Sequence, residues 1–457
     1  MQLNLVLIPL VCLLALSTHA DVLFPDVKQS PVIAAVAAED DPIIPFSSNG
    51  DLWMNSWADD DALYSGWGDG AGPGGKGGLP GPYNIYTDCG IARFTGTLPF
   101  IQGEKRNASA PTAQSPVNDK PSSLLYLDGR LVGAFHSPLG DAWIGYLAVS
   151  QDQGATWQRI GFYNQGEALP TNASPWTRDR NSNFRCLFFI NMGQSYRLNT
   201  DGYVYAMGIG TEWAWPSRKI YLCRVPVKDV LDYTAYSYYT GTADGIPGWS
   251  TSQDEARPLS GVHAQEQLSV MLHPQLGRFL LLTYCQLFDA PTPWGPWTLA
   301  GTWNAPNCTV TSNEWLIQWQ GGYQPGIISK DTGPDSFWFT IAGQNSPPKI
   351  AYQLQLGKMR IFLRRKGNGA VTVIKDPKTQ SIRQGAKASF TVSASGDKPI
   401  KYQWKKNGVS IPGATRATYT IKSTASDDVG SYNCTVANPL GKATSGTAVL
   451  SITEHGK

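Results

Sequence analysis

Short apolar runs recur from residue 51 to residue 354, each closed by a turn signal. They include Asp51–Trp57, Leu63–Trp67, Ser123–Leu127, Leu131–Phe135, Trp143–Val149 and Cys186–Ile190. Tyr203–Met207, Ile220–Arg224, Leu268–Leu272, Phe279–Tyr284, Phe337–Ile341 and Ile350–Leu354 continue the series. Leu127-Asp-Gly129, Thr200-Asp-Gly202 and Pro274-Gln-Leu-Gly277 punctuate it. A helical period is held only briefly, at Val227–Leu231. The pattern predicts an all-β domain of about twenty short strands. Their grouping in fours over residues 46–363 favours a five-bladed β-propeller over a sandwich. Ser150-Gln-Asp152-Gln-Gly154-Ala-Thr156-Trp157 fits the Asp-box pattern, a structural turn between outer strands of a blade. The glycine-rich stretch Gly68–Gly78 reads as a loop over the propeller's upper face; it lacks the order of a phosphate-binding loop.

A charged linker, Arg364–Gly369, separates a second pattern over residues 370–454. Tyr402-Gln-Trp404 reads as an immunoglobulin strand C with its core Trp, and Asp428–Cys434 as a tyrosine corner entering strand F. The strand B run Ala388–Val392 has Val392 where the partner cysteine would sit, so Cys434 is expected as a buried free thiol against Trp404. At the other end, residues 1–20 read as a signal peptide whose apolar stretch is too short to span a bilayer, although it lacks an early Lys or Arg. The expected protein is secreted, without a membrane span, and monomeric. In a bacterium it would be extracellular, periplasmic or on the cell surface.

Composition sharpens the function classes. A net charge of +2 with 16% charged residues argues against a nucleic-acid partner. Sixteen Trp and twenty Tyr suit strands, and also suit stacking on sugar rings. Seven cysteines show no zinc spacing, and export would permit disulfides without fixing their pairing. Asn107, Asn172, Asn307 and Asn433 stand in glycosylation sequons. No Ser-hydrolase, zinc-protease or dinucleotide motif is present.

Glycosidic cleavage needs two carboxyl groups. The run Asp59-Asp60-Asp61 is the leading candidate, with a solvated turn or a calcium site as its alternatives. Asp59 and Asp60 would pair with Glu266, at a strand entry, or with Asp141, on a second-blade loop. Trp57, Trp67, Trp143, Tyr323 and Gln324 are the candidate sugar contacts. His136 and His263 could bind a hydroxyl or carry a proton, and Arg178 could grip an acidic sugar. No cofactor is expected.

Several blocks resemble a family of secreted five-bladed propellers, long labelled as of unknown function, that includes glycoside hydrolases acting on D-arabinan. They are Ser56–Gly70, Asp201–Tyr205, Ile220–Pro226, Tyr238–Gly241, Leu268–Pro274 with Leu276–Leu281, Trp294–Trp297 and Tyr323–Gly326. The resemblance implies the propeller fold and a polysaccharide or oligosaccharide substrate, arabinan being one option among many. The expected function is a secreted glycoside hydrolase. The alternatives are a polysaccharide lyase using His136, His263, Arg178 and Tyr323, and a non-catalytic glycan-binding or adhesion protein.

Overall fold

The computed structural model describes residues 27–38, 43–75, 87–107, 119–137, 143–210, 219–264, 267–283, 286–302, 323–342, 353–364 and 369–453. It is all-β, with short 3-10 turns and no α-helix among the described residues. No helix there is long and apolar enough to cross a membrane.

An opening strand, β1 (Ile33–Ala38), is set aside for the last sheet. The first sheet holds β2 (Ser48–Asp51), β3 (Asn55–Trp57), β4 (Leu63–Pro73), β5 (Thr87–Thr97) and β6 (Phe100–Asn107). Both β2 and β3 pair with β4, so they form one first strand broken at Leu52, whose φ of 57° is left-handed. The second sheet is β7 (Lys120–Leu127), β8 (Arg130–Ser137), β9 (Ile144–Ser150) and β10 (Gln158–Ile160). A third meander runs β11 (Cys186–Asn191), β12 (Tyr203–Ile209), β13 (Tyr221–Pro226), β14 (Ser237–Ala243) and β15 (Ile246–Ser250). The fourth is β16 (Ser269–His273), β17 (Arg278–Leu282), β18 (Gln286–Ala290) and β19 (Thr298–Thr302). The fifth is β20 (Tyr323–Gly333), β21 (Ser336–Ala342) and β22 (Leu354–Leu363), to which β1 adds the outer strand.

The first strands touch in a closed cycle, β3 to β7 to β11 to β16 to β20 and back to β3. Of these first strands, among the described residues only β11 and β16 share a direct parallel ladder, of two residue pairs. Elsewhere the free inner edges would leave N–H and C=O groups unpaired, which is costly in a buried position. Short polar side chains bridge them. Ser56 Oγ accepts from Tyr126 N at 2.9 Å; Ser123 Oγ accepts from Phe189 N at 3.0 Å and donates to Leu187 O at 2.8 Å. Ser269 Oγ accepts from Ile327 N at 2.9 Å, and Asn55 Nδ2 donates to Ile327 O at 3.2 Å. Apolar side chains fill the spaces between successive sheets rather than one central core.

These bridges also fix direction. All the first strands run the same way, so Asp51, Lys120, Cys186, Gln267 and Tyr323 mark one end of the cycle. The hairpin from Trp57 to Leu63 marks the other. The glycine-rich stretch is strand as far as Pro73, not loop. Gly72 lies in the β2–β4 ladder and Gly70 in the β4–β5 ladder, and side-chain-free backbone at Gly72 lets the Trp67 ring pack there. Residues 76–86 fall outside the described residues.

The Asp-box turn joins β9 to β10. Asp152 accepts from Ser150 Oγ, Thr156 N and Thr156 Oγ1 at 2.7–2.8 Å, Gly154 takes φ 87°, and Trp157 Nε1 donates to Gly154 O at 3.0 Å. Asp152→Ala strands three donors in an exposed turn. The expected cost is about 1–2 kcal/mol, read as a lower urea midpoint; an unchanged midpoint would remove the turn's stabilising role.

In residues 371–451, Trp404 and Cys434 face each other across an antiparallel pair and are fully buried. The Tyr432 hydroxyl donates to Asp428 O at 2.7 Å, which is the tyrosine corner. Val392 is buried in the same cluster, and Cys434 is a free thiol pushed up to about 11 by burial. Cys186 and Cys223 are likewise buried free thiols, and Cys89 is buried; Cys285 and Cys308 lie outside the described residues.

Candidate functional site

The Asp59–Asp61 hairpin is held by charge. Burial pushes the Asp60 carboxyl up, but bonds from Arg93, Ala62 N and Tyr64 outweigh it and hold Asp60 below its ordinary value. Arg93 Nη2 and Nε donate at 2.8 and 3.1 Å, and the Tyr64 hydroxyl at 3.0 Å. Asp61 is lowered chiefly by Lys330, whose Nζ stands 2.8 Å away, and Trp57 Nε1 donates to it at 2.9 Å. Asp59 is exposed and bonded to the Tyr126 hydroxyl. Two of the three carboxylates are therefore committed to structural cations, and Trp57 to the turn. Among the described residues no three His, Cys, Asp or Glu side chains gather as a metal site.

At the opposite end a second polar group converges. Asp51 closes β2, only 3% exposed, directly opposite Gly68 on β4. A Cβ on Gly68 would collide with the Asp51 carboxylate, so the glycine makes its room. Asp69 follows, at φ 41°, and pairs with the Lys120 ammonium at the start of β7. Left-handed backbone at Leu52 and Asp69 is strain that neither side chain relieves, of order 1–3 kcal/mol each. Lys120 faces His136 across the β7–β8 ladder, and His136 Nδ1 lies 2.7 Å from Ser122 Oγ. Behind Lys120, the fully buried Asp119 accepts from the Tyr146 hydroxyl at 2.7 Å and Arg159 Nη2 at 3.2 Å. Burial, then Asp119, drives the Tyr146 phenol well above its ordinary value. Trp143 opens β9's side of this end, with its indole N–H buried and lacking an acceptor.

His263 is also buried at this end, beside Gln267. Burial pulls its imidazole down to about 4, against a weaker opposing bond between Nε2 and Gln286 Oε1 at 2.8 Å. It is therefore neutral at pH 7. The unfolded chain, with His near 6.5, takes up the proton first as pH falls. His263 thus contributes fully above pH 6.5, and loses that contribution as pH falls from 6.5 to about 4. The span corresponds to at most about 3 kcal/mol. His263→Gln should flatten the fall in urea midpoint between pH 7.5 and 4.5, and an unaltered slope in the variant would refute the assignment. His273, also lowered by burial, keeps a residual slope in the same direction.

Asp59 and Asp60 sit at the far end of the first strand from Asp51, Lys120, His136 and His263. Six residues of strand put roughly 20 Å between the ends. Glu266 and Asp141 lie outside the described residues. Tyr323 and Gln324 begin β20 at the Asp51 end. Trp67 is fully buried, its indole donating to Gly70 O at 3.1 Å and its ring against Gly90, so it is core and not a cleft wall. Arg178 is exposed, its backbone N–H on Trp143 O at 2.8 Å. Sequence reading missed Asp51, Lys120 and Ser122. Asp51 opens one of the apolar runs, and a carboxylate at such a strand position was the available signal.

Residues 122–340 match the model of a family described as a domain of unknown function, DUF4185, and residues 371–451 match the immunoglobulin I-set model. Among curated proteins, tyrosine-protein phosphatase Lar of Drosophila melanogaster is 34% identical over 98 residues, 19% of this chain and 5% of that protein. The decoration protein of Escherichia phage T5 is 41% identical over 61 residues, 13% of this chain and 37% of that protein. The chain thus spans only a small part of either relative. Among solved structures, a chimeric titin Z1Z2 is 27% identical over 20% of this chain and all of that one, with a TM-score of 0.18. A Bacteroides ovatus protein, named provisionally as a hydrolase, matches 69% of this chain and 87% of that one at 11% identity and a TM-score of 0.43. That likeness is too slight to bear on activity.

Proposed function

We propose that the DUF4185 region is a five-bladed β-propeller and an exported glycoside hydrolase, with its mouth at the Asp51 end of the first strands. The observation that carries this reading is that two carboxyl residues stand at this end of adjacent strands, Asp51 on β2 against Gly68 and Asp69 on β4 against the Lys120 ammonium. Asp51 is opposite Gly68, the chain neighbour of Asp69, so the two backbones lie within ~6 Å; hydrolysis needs their carboxyl groups about 5–10 Å apart across the mouth. Asp69, facing the Lys120 ammonium, suits the anionic role of base or nucleophile. The buried Asp51 suits the proton donor. The Trp143 indole N–H and His136 are placed to bind sugar hydroxyls. D-arabinan is the first substrate to test, on the strength of the sequence resemblance.

New reducing ends from a glycan panel that includes D-arabinan, without absorbance at 235 nm, are the expected result. A 235-nm product would replace hydrolysis by elimination, and binding without cleavage would leave a lectin. Asp60→Asn should keep wild-type activity while losing about 1–2 kcal/mol of stability, because it breaks bonds to Arg93 and Tyr64 at the other end. Loss of activity in a folded Asp60→Asn protein would return the site to the hairpin.

A further inference from the structure

A second aromatic assembly lies on the third and fourth meanders. Arg224, on β13, is clamped between Tyr203 and Trp249, its guanidinium carbon 4.1 Å from each ring centroid. Tyr205 and Trp294 complete the patch, with Trp294 edge-on to Trp249 at 6.5 Å. Tyr203, Arg224, Trp249 and Trp294 are all half-buried. Tyr203 begins β12 beside the Asn191 end of β11, so the patch is remote from the mouth.

The charge balance here is incomplete. Among the described residues Arg224 makes no ion pair and its Nε is buried without an acceptor; its hydrogen-bond partner is the uncharged Tyr205 hydroxyl. Asp201, the nearby acid, spends its Oδ2 on the Tyr205 hydroxyl at 2.6 Å. A guanidinium covered on both faces can donate only in its own plane, where a carboxylate accepts two parallel bonds. Half-buried indoles beside it offer flat faces for sugar C–H groups and N–H edges for hydroxyls. We infer that this patch is a non-catalytic site for a uronate-bearing glycan, with the sugar carboxylate on Arg224 and its ring against Trp249 or Trp294.

Affinity electrophoresis through polygalacturonate tests it with the full-length protein. The wild type should be retarded, and the fully methyl-esterified polymer should not retard it. Arg224→Gln and Trp294→Ala should each weaken retardation about tenfold or more, while cleavage of neutral glycans is unchanged. If Arg224→Gln fails to fold, Trp294→Ala and the esterified polymer still decide. An unretarded wild type, equal retardation by the ester, or wild-type retardation of both folded variants overturns the inference. None of these readings depends on whether the mouth is hydrolytic.

Discussion

Asp69→Asn is expected to lower kcat/KM on the cleaved glycan by about 10³-fold, with Asp51→Asn falling as far. The substitutions keep side-chain size, so both proteins should fold. The Lys120 ammonium, nearly buried at 8% side-chain exposure, loses its charged partner in Asp69→Asn. Some loss of stability therefore accompanies the loss of rate. Stability and rate can be separated with Lys120→Met. Removing the cation leaves Asp69 in place, so it should destabilise comparably yet retain more activity than Asp69→Asn. Gly68→Ala offers an independent approach, because its methyl would displace the Asp51 carboxylate without changing any ionisable group. Full activity in both folded Asp variants would exclude this pair as the reacting carboxyls.

The second large effect is structural. Trp67→Ala should cost about 3–5 kcal/mol, lowering Tm by roughly 10 °C. Trp67 fills a space between β2, β4 and β5 that is shaped by glycines, stacks on Trp53 at 6.0 Å, and bonds to Gly70 O. A cavity of that size cannot collapse, since Trp53 and Phe94 are themselves fixed. The reciprocal change, Gly90→Ala, drives a methyl into the Trp67 ring and should cost about 1–3 kcal/mol. Thermal unfolding of the two variants checks both figures. If Trp67 instead lined a sugar cleft, Trp67→Ala would weaken glycan binding and leave Tm unchanged.

Much of the fold is legible locally. The Asp-box turn and the tyrosine corner each depend on residues close in sequence, so their spacing announces them, and the missing strand B cysteine at Val392 announces the free Cys434. Strand existence is equally visible, because short apolar runs between turn signals have few other solutions. Strand β7, buried along its whole length, shows why alternation was weak: first strands pack between two sheets and show no polar face.

The site was not legible in that way. Three adjacent carboxylates drew attention to Asp59–Asp61, yet a turn rich in acids is satisfied by cations that arrive from Arg93 and Lys330, far away in the chain. Which end of a strand forms a mouth depends on the common direction of β3, β7, β11, β16 and β20, and that is set by contacts between residues tens to hundreds apart. Burial of Trp67 likewise depends on Gly90 in a neighbouring strand. The sequence by itself determined the all-β class, the two-domain division and the turn chemistry, since these follow from local spacing. Only the tertiary structure decided that Asp69 meets Lys120 and that Asp51 lies against Gly68, because strand pairing brings together side chains whose separation in the chain carries no signal.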